Sequence, residues 1–175
     1  MPFHCEILES HRLVYVIGDG VVTFDDFLRH FQDLADDARY RTPMLKLVRY
    51  LSPNVVDLSY SEAKAIPRRK KQYDDRFKGE RCAVVAISDL DFGTARVSEG
   101  YTDESGVELS AFRSAAAALA WLNIDQNDDE FRCWFDAIED KIVAGTLFEP
   151  ADDHQDQPAS DSPIVTEPEL RHIEK

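Results

Sequence analysis

The sequence predicts an α/β fold: a mostly parallel central sheet of about five strands with an N-terminal antiparallel hairpin, helices packed on the sheet, and an extra C-terminal helix. Three observations carry this. Strand-like and helix-like segments alternate in the order ββαβαβαβα through residue 123, and such alternation gives helices layered on a largely parallel sheet. Cys82-Ala83-Val84-Val85-Ala86-Ile87 is an unbroken apolar run, the pattern of a strand buried on both faces. Finally, Thr23, Ser59, Ser88 and Ser114 each stand where a strand gives way to a helical pattern. Hydroxyl side chains are favoured there because they accept from the free N–H groups of a first helical turn.

Residues 3–8 and 12–17 read as two short strands joined by Glu9-Ser10-His11, so the pair is an antiparallel hairpin. After Gly18-Asp19-Gly20, Phe24, Phe27, Leu28, Phe31, Leu34 and Ala35 recur at helical spacing behind Thr23. Asp25 and Asp26 suit the positive end of that helix. Arg41-Thr42-Pro43 breaks the segment, and 44–51 reads as the third strand. Ser59-Tyr60-Ser61-Glu62 has capping-box form, which predicts a helix to about residue 76, kinked or split at Pro67. The run from 81 is the fourth strand. Ser88 or Asp89 caps a helix through about residue 101, and 107–112 is the last strand. Ser114 caps the helix-forming stretch 115–122. Past Asn123, Asp128-Asp129-Glu130 opens another helix with Phe131, Trp134, Phe135, Ile138 and Ile142 on one face and Gly145 at its end.

The chain has 175 residues and a formal net charge of -14. Residues 1–123 hold 19 acids and 16 bases, residues 124–148 hold 7 and 2, and residues 149–175 hold 8 and 2. The chain thus divides into an α/β domain (1–123), an amphipathic helical extension (124–148) and an acidic, proline-rich tail (149–175). The tail holds four of the eight prolines and no Phe, Trp or Tyr, a composition expected to stay disordered. The overall acidity disfavours nucleic acid and anionic membranes as partners, and no apolar run is long enough for stable membrane insertion. Cys5, Cys82 and Cys133 are odd in number and widely spaced, which fits a reducing compartment. The first residues lack the pattern of a signal peptide. The expectation is a cytoplasmic protein without metal or cofactor.

Four phrases resemble a known group. They are Gly20-Val21-Val22-Thr23, Arg81-Cys82-Ala83-Val84-Val85, Phe92-Gly93-Thr94-Ala95-Arg96, and Phe112-Arg113 followed by Ala118-Leu119-Ala120-Trp121-Leu122. In this order and spacing the chain resembles the bacterial SpoIIAA-like proteins. Those share the STAS fold of anti-sigma-factor antagonists and are often grouped with lipid-binding Sec14-like domains. The resemblance implies that fold over residues 12–122 and, for function, a regulatory or interaction module. STAS antagonists carry an Asp-Ser-Ser/Ala-Gly phospho-acceptor segment after the third strand. Here the nearest stretch is Asp57-Leu58-Ser59-Tyr60, without glycine. Where the SpoIIAA-like branch often has an acidic residue near the end of the third strand, this chain reads Leu47-Val48-Arg49-Tyr50.

Parallel α/β sheets tend to bind ligands beyond the carboxyl ends of their strands. Thr23, Ser59, Ser88, Asp89 and Ser114 fall on that edge, with Arg113 beside it and Arg96 two turns into its helix. An arginine near helix N-termini makes an anion site. Thr23, Ser59 and Ser114 read most simply as N-caps, and Arg96 and Arg113 as solvated or ion-paired side chains. Arg68-Arg69-Lys70-Lys71 reads as a solvated helix surface. Asp91-Phe92-Gly93 spells a kinase motif without any other kinase element. The Phe131, Trp134, Phe135 and Ile138 face is read as packing on the domain's own sheet, with a homodimer or partner contact as its rival.

Three functions compete. The first is a non-catalytic regulatory module binding a protein partner through the edge bearing Ser59 and Ser114. The second is a carrier or sensor of a small apolar or anionic ligand, such as a lipid, anchored by Arg96 and Arg113. The third, a serine-dependent hydrolase or transferase, has no base–nucleophile spacing behind it.

Overall fold

The computed structural model describes residues 2–52, 55–101 and 106–148. Its elements are β1 (Phe3–Leu8), β2 (Leu13–Gly18), α1 (Phe24–Asp36), β3 (Leu45–Tyr50), α2 (Tyr60–Lys70), β4 (Arg81–Val85), α3 (Asp89–Glu99), β5 (Glu108–Phe112), α4 (Ala115–Trp121) and α5 (Asp129–Ala144). The predicted order is therefore present. The helix expected to run to residue 76 ends at Lys70 and continues as 3-10 turns over Lys71–Phe77. The expected tail, 149–175, lies outside the described residues.

The five strands form one sheet in the order β1-β2-β3-β4-β5. β1 pairs antiparallel with β2, and every later pairing is parallel. Strand order thus matches chain order. Three right-handed crossovers that all step the same way must put their helices on the same face. The side chains agree. Val14, Val16, Val48, Val84, Phe27, Phe31, Ile66 and Ala95 share one buried cluster, which joins alternate strand positions to α1, α2 and α3. Leu13, Tyr15, Ile17, Leu47, Ala83 and Val85 point the other way and meet Leu119, Leu122, Phe131 and Ile138 of the C-terminal segment. The predicted two-sided cover exists, but the crossovers supply only one side. The chain beyond β5 supplies the other. The helical segment 124–148 accordingly lies on the same sheet as the domain that precedes it.

Local chemistry explains the ends. Thr23 and Ser59 form full capping boxes with Asp26 and Glu62. Ser88, Ser114 and Asp128 each accept from the third backbone N–H of their helix. Gly145 ends α5 at φ 71°, a left-handed value that favours glycine. Gly18 answers to space instead: a β-carbon there would lie 2.8 Å from the Tyr50 ring.

Pro67 sits inside α2, where it lacks the N–H that would bond the Ala63 carbonyl. That carbonyl accepts instead from the buried Ser98 hydroxyl of α3 at 2.9 Å. A neighbouring helix thereby satisfies the group the proline strands, and the helix passes through Pro67 unsplit.

Candidate functional site

The expected edge forms. The turns after β2, β3, β4 and β5 lead into the caps at Thr23, Ser59, Ser88 and Ser114. Val22 bridges to Val56 in parallel fashion, with Val22 N–H donating to the Val55 carbonyl at 2.7 Å. Asp91, 1% exposed, ties the neighbouring turns together. Its carboxylate accepts from Val56 N–H at 3.1 Å and from the Ser88 hydroxyl at 2.7 Å. The residue that opens the kinase-like phrase is thus a structural clamp.

The edge hydroxyls are committed to capping. Ser59 Oγ donates to Glu62 at 2.6 Å, and Glu62 Oε2 also accepts from Ser59 N–H at 2.8 Å. These bonds lower the Glu62 carboxyl from its ordinary value, which weakens it as a base. A carboxylate is within reach of Ser59, and of Ser88 through Asp91, but each sits in the N3 position of its own helix. Neither arrangement is a nucleophile–base pair oriented by a third group.

The two arginines do not converge. Arg113 Nη1 donates to the carbonyls of Ile87 and Ser88 at 2.7 and 3.1 Å, and Nη2 to Asp89 at 2.6 Å. Its guanidinium lies 4.0 Å from the Phe92 ring centroid. Arg113 therefore pins the β4–α3 turn from the end of β5. Arg96 pairs with Glu99 three residues on, at 2.7 Å. It stands seven residues beyond Asp89, about 10 Å along the axis. The expected anion anchor at Arg96 and Arg113 is therefore not assembled: one arginine serves a turn and the other its own helix.

Ligand clefts at the carboxyl edge of α/β sheets open where strand order reverses, and this order does not reverse. What the edge does offer is apolar surface. Val21, Tyr60, Ile87 and Leu90 are 63%, 64%, 66% and 59% exposed. All four lie in or beside the turns after β2, β3 and β4. The sequence offers no periodic signal for Val21, Tyr60 or Leu90, and it places Ile87 in the run expected to be buried, whereas β4 ends at Val85.

The α5 face is placed on the chain's own sheet. Phe131 and Ile138 are 2% and 3% exposed. The Phe135 ring stacks on Tyr15 with centroids 5.2 Å apart. Phe131 and Ile138 are thus used up inside the fold and are not free to form the partner or dimer face, while Trp134 and Phe135 are half-buried beside them. At the start of α5, His11, Asp128 and Glu130 bring metal-ligand atoms within 4.8 Å of one another. Asp128 there is the helix cap and Glu130 accepts from Ser10 at 2.8 Å, so the cluster is accounted for by capping and hairpin contacts.

A second site was not foreseen. The solvated reading of Arg68-Arg69-Lys70-Lys71 fails at Lys70, which is 4% exposed. Its ammonium pairs with Glu80, which is fully buried. Lys46 of β3, 2% exposed, lies 3.1 Å from the other Glu80 oxygen, and the Tyr40 hydroxyl donates to that same oxygen. Burial alone would raise the Glu80 carboxyl, but the two ammonium groups outweigh it and hold it down to about 2. Beside this cluster, under α1 to α3, is a cavity of about 50 Å³ lined by Val16, Val48, Ile66, Val84, Lys46 and Lys70 among others. The sequence did carry one signal: Lys46 alternates with Val48 and Tyr50 on a strand's inward face.

No family model matches the chain, and no curated protein does. One similar solved structure is the crystal structure of an uncharacterized protein from the DUF3478 family with a SpoIIAA-like fold, from Shewanella loihica PV-4. It is 22% identical, the match covers 69% of this chain and 91% of that chain, and the TM-score is 0.45. That description names the fold group which the four sequence phrases resemble. The α/β class stands on the sheet itself, five strands with one antiparallel pair. Among the described residues no helix is long and apolar enough to cross a membrane.

Proposed function

We propose that the chain is a non-catalytic interaction module of STAS/SpoIIAA type that docks a protein partner on the carboxyl edge of its parallel sheet. The observation that carries this is the exposure of Val21, Tyr60, Ile87 and Leu90 in successive turns of one edge. Apolar surface gathered in one region marks an interaction site more often than scattered single residues do. The edge is also rigid. Asp91 and Arg113 fix the turns that present Ile87 and Leu90, so little order has to be created on binding. The capped Ser59 lies beside Tyr60, where a phosphate would add nearly two negative charges at a helix start and change the docking surface rather than the fold.

The test is quantitative capture by the full chain. Ile87→Asp with Leu90→Asp removes the apolar edge without touching a buried group. A partner retained by the wild type should be lost by this variant at unchanged thermal stability, and reduced by Ser59→Glu. Capture of the same partner by the double variant, or no partner at all, overturns the reading.

A further inference from the structure

We propose that the cavity beneath α1 to α3 binds a small organic monocarboxylate, with Lys46 as the partner of its charged head. This goes beyond the docking edge and does not rest on it.

Lys46, Lys70 and Glu80 are all buried, and they comprise two ammonium groups against one carboxylate. Glu80 is the shared counter-ion, and its oxygens are already engaged by Lys70 and Tyr40. Lys46 Nζ is left at ion-pair distance but without a hydrogen bond of acceptable geometry. Buried polar groups nearly always have a partner, and an ammonium needs one most. Lys46 is part of the cavity lining, and about 50 Å³ is well beyond what one water needs.

The surroundings select the ligand. Most of the lining is aliphatic or aromatic: Val16, Val48, Val84, Ile66 and Phe27. The Phe31 and Phe77 rings hold both ammonium groups, with Lys46 Nζ 5.8 and 5.5 Å from their centroids. Asp91, elsewhere in the lining, has its carboxylate taken up by backbone N–H groups and Ser88. Lys46, the lining ammonium whose hydrogen bonds are unfilled, suits one negative charge on an apolar body. A phosphate dianion would bring more charge than Lys46 can match and more oxygens than it can bond.

The experiment is titration of the full chain with hexanoate and with 1-hexanol, the uncharged chain of equal length, followed by calorimetry and by the methyl resonances of Val16, Val48 and Val84. Hexanoate should bind, shift those methyls, and bind at least ten-fold tighter than hexanol. Lys46→Met, which keeps the volume and leaves Glu80 paired with Lys70, should weaken hexanoate at least ten-fold and leave hexanol unchanged. Absence of hexanoate binding, equal binding of acid and alcohol, methyl shifts elsewhere, or an unaffected Lys46→Met each overturns the proposal. Should Lys46→Met fail to fold, the wild-type comparison and its methyl map decide alone. The Ile87→Asp, Leu90→Asp variant should bind hexanoate normally, so failure of the docking edge and failure of the cavity are told apart.

Discussion

The Tyr15 hydroxyl on β2 donates a 2.7 Å hydrogen bond to Glu139 on α5. The other oxygen of Glu139 takes Arg49 of β3. Arg49, near the end of β3, thus takes its counter-charge from α5. Glu139→Ala leaves a half-buried guanidinium and a buried phenol without their acceptor. The expected loss is about 1–3 kcal/mol, read as a lower urea midpoint, while Glu139→Gln keeps part of it.

Ser98 and Pro67 should be energetically coupled. Ser98→Ala deprives the buried Ala63 carbonyl of its donor and should cost about 1–3 kcal/mol. In the Pro67→Ala background a backbone N–H is available for the same carbonyl, so Ser98→Ala should cost much less. A double-mutant cycle by denaturant unfolding measures the difference. Additive losses would mean that the serine does not stand in for the missing N–H.

Acid should unfold the protein partly through Glu80. Its carboxyl is held at about 2 in the fold against an ordinary value of 4.5. Between those values the unfolded chain binds more protons, so stability falls as the pH drops. This contribution is complete above about pH 4.5 and lost as the pH passes through 2. Glu80→Gln should flatten the dependence of the urea midpoint over that range. It should also be less stable near pH 7, by about 3 kcal/mol or more, because two buried ammonium groups lose their counter-ion.

A chain ending at residue 123 should aggregate. It lacks Phe131 and Ile138, which cover the Leu13, Tyr15, Leu47 and Val85 face. Light scattering on the truncated chain beside the full one checks this. A monodisperse truncation would mean that α4 alone suffices as cover.

The parts of the fold that were legible in the sequence are those written in local code. The strands, α1 and α5 are announced by their apolar patterns and the other helices by their caps, and Thr23, Ser59, Ser88 and Ser114 cap helices where they were expected to. Relations between elements were not legible. Lys70 looked solvated because its counter-ion is Glu80, ten residues on and past the helix end. Arg113 looked like an anion anchor because two of its partners are backbone carbonyls of another turn, which no side-chain pattern records. The strand order, which does not reverse, depends on three crossovers acting together.

That order also sets when the molecule is at risk. β1 to β5 lie side by side in the sequence in which they are made, so each strand can dock on its predecessor as it leaves the ribosome. The helices that arrive between them all land on one side. The Tyr15, Ile17 and Leu47 surface gains its lining from Leu119, Phe131 and Ile138 only some hundred residues later, a delay on the order of ten seconds at ordinary rates of translation. The interval most open to aggregation or chaperone capture is therefore synthesis itself, and it closes when α5 docks.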